Sequence, residues 1–181
     1  MDDNQLHPTA AARALQIFVV LRGLIYSFGF VVLWAWLAVS VRPYDSRLSF
    51  GIPVRLRLVG WVLASAGALL AALCIGTFVT KGRGTPAPFD PPREFVASGP
   101  YRYVRNPMYI GAAGVILGSG LILSSPSIVL LAFAFLVLTH LLVVLYEEPA
   151  LTSKFGDSYL RYKSSVHRWL IRRPRPAGFT G

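Results

Sequence analysis

The chain has 181 residues, of which 54% are hydrophobic and 14% charged, with a formal net charge of +10. Such an apolar composition, gathered in long blocks, excludes an ordinary soluble domain. The single cysteine, Cys74, excludes an intrachain disulfide framework or a cysteine metal site, and no His/Asp/Glu spacing suggests a metal.

Apolar runs long enough for membrane helices need about 20 residues. In chain order the first is Ile17–Val41, interrupted by Arg22. Its length, and Asp2 and Asp3 ahead of it in place of a basic cluster, argue for an uncleaved helix over a signal peptide. A short polar loop, Arg42–Arg57, leads to the second run, Leu58–Val79. Small residues recur there at Gly60, Ala64, Ala68, Ala72 and Gly76, which predicts close helix packing. The segment from Thr80 to Pro107 is dense in Gly and Pro in its first half and reads as a loop that packs on something. A third, shorter run, Met108–Leu123, carries Gly111, Gly114 and Gly118 on one face. Ser124-Ser125-Pro126-Ser127 is a tight connection, so the fourth run, Ser127–Tyr146, returns antiparallel to the third. Beyond Pro149, Phe155, Tyr159, Tyr162, Val166 and Trp169 fall at helical spacing. Lys154, Asp157, Arg161, Lys163 and Arg168 fall on the other side, which predicts an amphipathic helix at the interface.

The expected fold is therefore an all-α integral membrane bundle of about four spans. Residues 1–79 form a two-span N-terminal region. Residues 80–181 supply a loop, a helical hairpin and a tail within the same membrane domain. With the N-terminus in the cytoplasm, thirteen of the eighteen basic residues lie inside, which is the positive-inside bias. That explains the charge without nucleic acid, and the basic tail is suited to anionic lipid. Both termini are then cytoplasmic. The small-residue faces fit packing within the chain or a homodimer.

The hairpin brings two polar clusters to one membrane face. The first is Gly99-Pro-Tyr-Arg-Tyr-Val-Arg-Asn-Pro-Met-Tyr-Ile-Gly111. Its alternating rings and guanidinium groups can stack on a base, fork a carboxylate or hold a cation against a ring; an interfacial aromatic–arginine belt reads equally well. Asn106-Pro107 is a helix start, with Asn as cap and Pro at the first helical position. The second cluster is Glu147-Glu148-Pro149. Two acids at the end of a helix call for a positive partner, such as Arg105, a tail Arg or a cationic ligand. His140, inside the fourth run, is either a site residue or a neutral histidine bonded to a neighbouring helix.

These residues resemble the isoprenylcysteine carboxyl methyltransferase family, which takes in related phospholipid methyltransferases. The resemblance rests on Val96–Gly111, Glu147-Glu148 and Phe155–Tyr162, in that order. It implies a membrane-embedded S-adenosylmethionine-dependent methyltransferase acting on a lipophilic acceptor that enters from the bilayer. It implies cofactor binding by Arg93, Glu94, Phe95, Val96, Tyr101, Asn106, Pro107, Met108, Tyr109 and Glu147, with Glu147 and Arg105 as catalytic residues. The family's usual His in the Arg-His-Pro triplet is Asn106 here. Its Arg one turn before the acid is Val143, which argues against a prenylcysteine carboxylate as acceptor. A non-catalytic protein of the same fold and a nicotinamide-dependent membrane reductase are the alternatives.

Overall fold

The computed structural model describes residues 10–77 and 97–171, and among these every regular element is helical. Five α-helices follow one another: α1 (Ala10–Val41), α2 (Arg57–Thr77), α3 (Pro107–Ile122), α4 (Pro126–Leu142) and α5 (Glu148–Ser165). Short 3₁₀ turns at Arg42–Arg47, Val54–Leu56 and Gly99–Arg102 link them. The stretches Val54–Thr77 and Pro126–Ser165 are long and apolar enough to cross a membrane, whereas Pro107–Ile122 is apolar but shorter.

Helices α2 and α3 pack through glycine. A Cβ on Gly67 would stand 2.4 Å from the Gly111 carbonyl oxygen, and one on Gly118 would stand 2.6 Å from that of Gly60. Backbone therefore touches backbone, which only small residues permit. The face used differs from the expected every-fourth stripe. Gly60, Gly67 and Cys74 are buried while Ala68, Ala72 and Gly76 are exposed. A strict four-residue step advances about 400° and so drifts off a 3.6-residue helix, whereas a seven-residue step nearly holds its face. The third-helix set fares as expected, with Gly111 and Gly118 buried and Gly114 close to Gly67.

The α3–α4 turn is closed by its own polar groups. Ser124 takes a positive φ of 52°, the Ser125 amide donates to the Gly120 carbonyl at 2.9 Å, and the Ser124 amide donates to Leu121 at 3.2 Å. This is the Schellman closure, with serine at the position glycine usually fills. Arg57 Nε donates to the Ile122 carbonyl at 3.0 Å, which satisfies another terminal acceptor. Across the turn, Asp45 Oδ1 accepts from Ser125 Oγ and from the Ser127 amide, both at 2.9 Å. A carboxylate on the first amides of α4 also complements the helix dipole.

Phe135 anchors the core. It is fully buried, with ring centroids 4.7 Å from Trp34, 6.0 Å from Phe30 and 6.4 Å from Tyr109. Ile128, Ala132, Ala113 and Ile116 complete the buried cluster. One side of the α1 C-terminal half is thereby joined to the α3–α4 hairpin.

The fourth run does not stop at the acids. A π-helical turn, Val143–Glu147, joins α4 to α5 without a break. Pro149 lacks an amide and crowds the carbonyl four residues earlier, and a wider turn relieves that crowding. The tail departs from a single amphipathic face. Gly156 interrupts α5 with φ of 51°, and the helix ends at Ser165, so Val166, in extended conformation, and Trp169 lie beyond it.

Candidate active site

The hairpin brings the two polar clusters together. The Tyr109 hydroxyl, in the first turn of α3, donates a short hydrogen bond to Glu147 Oε1 at the end of the π turn. Thirty-eight positions separate these residues. Two helices of similar length, folded back through Ser124–Ser125, return to the same level, and the chemistry-bearing residues sit at the open end.

Glu147 is part-buried, and among the described residues its one hydrogen bond is the one from Tyr109. A carboxylate offers about four acceptor positions. The rest can take ribose hydroxyls or face a cation, and the Tyr109 ring beside it adds a cation-attracting face. This donor set fits a sulfonium nucleoside.

Glu148 does something different. It is 5% exposed, and Arg168 Nε stands 2.5 Å and Arg105 Nη1 3.3 Å from its Oε1, with Lys163 Nζ 2.8 Å from Oε2. Adjacent helical residues point about 100° apart, so the two acids serve separate neighbourhoods. The positive partner expected for the acid pair is found on Glu148. Arg105 is thus held by Glu148, and Arg168 and Lys163 reach the same carboxylate, Lys163 with its side chain still 40% exposed. Sequence reasoning named the acid pair and its basic partners but not which of the two acids would take them. The signal was available in the position of Glu148 beside Pro149 and ahead of a base-rich tail.

The motif before α3 is a structural wedge as well as a site wall. Gly99 has φ of 60°, and a Cβ there would meet Thr77 Oγ1 at 2.6 Å, so glycine is required on both counts. Tyr101 and Val104 are buried, and Pro107 is fully buried. The Tyr101 hydroxyl lies against the Cys74 thiol, and burial, helped by that thiol, pushes it well above the usual phenol range. Its carbonyl accepts from the Tyr162 hydroxyl at 2.6 Å. Met108 is part-buried.

Asn106 precedes α3 as expected, but its side chain makes no capping bond. Its Nδ2 donates instead to the Arg168 carbonyl at 3.2 Å. His140 is exposed; its Nδ1 accepts from Trp169 Nε1 at 3.0 Å, so it is bonded to the tail segment. Arg93, Glu94, Phe95 and Val96 lie outside the described residues.

Residues 56–158, more than half of the chain, match the phospholipid methyltransferase family. The chain belongs to that family. The matched region runs from the start of α2 to beyond the two acids, so it covers the hairpin and both halves of the site. The chain is also similar to an uncharacterized protein of Haemophilus influenzae, 36% identical over 63 residues, which is 35% of this chain and all of that one. As a phospholipid methyltransferase family member, the chain is a methyltransferase by class, and its apolar helices are those of a membrane protein.

Proposed function

We propose that this methyltransferase takes its methyl group from S-adenosylmethionine and delivers it to a lipophilic, isoprenoid or lipid-like acceptor drawn from the bilayer. The observation that carries the reading is the Tyr109–Glu147 bond, which assembles an acid and a ring where the spans end. Four spans, with both termini and the site on the cytoplasmic side, let a soluble cofactor enter from water and a greasy acceptor from the membrane.

When bound, S-adenosylmethionine supplies a methyl group activated by a sulfonium charge. Glu147 and Tyr109 would hold that cation, and Asn106, Pro107, Met108 and Tyr101 are the further residues assigned to the cofactor. Arg93, Glu94, Phe95 and Val96, which lie outside the described residues, are assigned to the cofactor by the family resemblance alone. An in-line displacement disperses charge, so a dry and well-oriented pocket carries most of the rate. An acceptor carboxylate would need no base, whereas an amine or hydroxyl would. Val143 at the position of the family's substrate arginine favours an acceptor other than a prenylcysteine carboxylate.

The test is equilibrium binding of S-adenosylmethionine to detergent-solubilised protein, with labelled methyl transfer into a membrane lipid extract. Glu147→Gln and Tyr109→Phe should each weaken binding about tenfold or more, the value of a charge-assisted hydrogen bond. Wild-type affinity in both variants overturns the site, and binding of a reduced nicotinamide dinucleotide phosphate in place of the nucleoside overturns the reaction.

A further inference from the structure

The reaction as described leaves Glu148 without a task, although it is the more elaborately held of the two acids. A buried carboxylate is costly unless charged partners surround it. Here the partners come from different parts of the chain: Arg105 from the motif before α3, Lys163 from the end of α5, and Arg168 from the segment beyond it. Around this hub run further bonds between the same segments. The Arg105 amide donates to the His167 carbonyl at 2.9 Å, and Asn106 Nδ2 donates to the Arg168 carbonyl at 3.2 Å. Trp169 Nε1 fastens the end of the segment to His140 on α4. The 167–168 backbone thus lies along the 105–106 backbone like a clasp.

We propose that Glu148 is a positioning residue for cofactor binding, closing the segment 166–169 onto Arg105 and Asn106 and thereby fixing the start of α3. Pro107 is the first residue of α3, and Tyr109 lies in its first turn. Pinning residues 105 and 106 sets the direction in which the Tyr109 ring projects. Glu148 is also the residue after Glu147, so one anchor holds the backbone of both members of the Tyr109–Glu147 pair. Asn106 leaves α3 uncapped by its side chain and bonds to the tail instead, which transfers the job of ordering that helix start to the clasp. Arg105 acts through Glu148 as the arm from the motif side. The proposal rests on the cofactor reading above.

The experiment compares wild type, Glu148→Gln, Glu148→Asp, Arg168→Gln and Arg168→Lys, with Asp45→Asn at the far end of the hairpin as a stability control. Two quantities are read: S-adenosylmethionine affinity, and the rate at which trypsin cuts after Lys163, a site that every variant keeps. Arg168→Gln removes one part-exposed arm and serves if Glu148→Gln does not fold. Glu148→Gln and Arg168→Gln should bind about tenfold more weakly or worse, because small misplacements of a site carry such penalties. They should also be cut faster, and Glu148→Asp and Arg168→Lys should recover part of the affinity. Unchanged affinity in both variants beside a binding wild type overturns the proposal, as does an equal loss in Asp45→Asn. A wild type that binds nothing overturns the cofactor reading instead. The protease arm then decides the clasp, and an unchanged cutting rate in Glu148→Gln overturns it.

Discussion

Alanine at Gly67 should break the α2–α3 contact. The new Cβ would lie 2.4 Å from the Gly111 carbonyl oxygen and 2.9 Å from the Val115 amide nitrogen. Both are backbone atoms inside a helix, so no side chain can swing aside. Restoring ordinary contact requires the helices to part by about 1 Å over that stretch. Overpacking of this kind costs about 1–3 kcal/mol, and rigid backbone on both sides puts it at the upper end. Alanine regains about 1 kcal/mol of helix propensity over glycine. The net loss is then about 1–2 kcal/mol, or roughly 2–8 °C in Tm for a chain of this size. Gly76→Ala is the matched control, since nothing stands within 4 Å of its Cβ, and it should be neutral or slightly stabilising. Gly114→Ala, whose Cβ would meet the Leu63 carbonyl oxygen at 3.3 Å, should fall between them. A thiol-reactive dye supplies the assay. Cys74 is the chain's single cysteine and is fully buried at the same helix face, so it reacts only when that face opens. A Gly67→Ala protein as stable as Gly76→Ala would refute the argument and mean that the helices are not in backbone contact.

Two further outcomes follow from the core and the far turn. Phe135→Ala removes a fully buried ring shared by α1, α3 and α4, at a cost of about 3–5 kcal/mol, and should also weaken nucleoside binding because Tyr109 rests against that ring. The same thiol-dye melt and the binding titration would show it. At Asp45, burial raises the carboxyl pKa but the hydrogen bonds from Ser125 and Ser127 outweigh it, leaving the pKa below the ordinary 3.8. A lowered folded pKa contributes stability that is complete above the unfolded value and is lost as pH falls through the folded one. Melting between pH 6 and about pH 3 should therefore show an acid limb that is smaller in Asp45→Asn. An identical limb in the variant would mean that the turn does not depend on this charge.

What the sequence could reveal was set by spacing, and what it concealed was set by pairing. The hairpin followed from two apolar runs of similar length and a four-residue connection, and the meeting of Tyr109 with Glu147 followed from the hairpin. The glycine face of α2 was legible in composition but not in phase, because an every-fourth pattern and a three-four pattern share Gly60 and Ala64 and diverge only after another turn. The continuous passage through Pro149 was hidden, since proline ordinarily ends a helix and a π turn has no residue signature of its own. The division of labour between the acids was hidden for a related reason. Adjacent residues in sequence look like one feature, yet a helix turns them apart, and only the fold decides which of the two meets the bases. That separation has a chemical consequence. Had Arg105 or Arg168 reached Glu147, its charge would be matched internally and unavailable to a cation. With the bases gathered on Glu148, Glu147 keeps its remaining acceptor positions beside an aromatic ring, as the proposed cofactor reading needs.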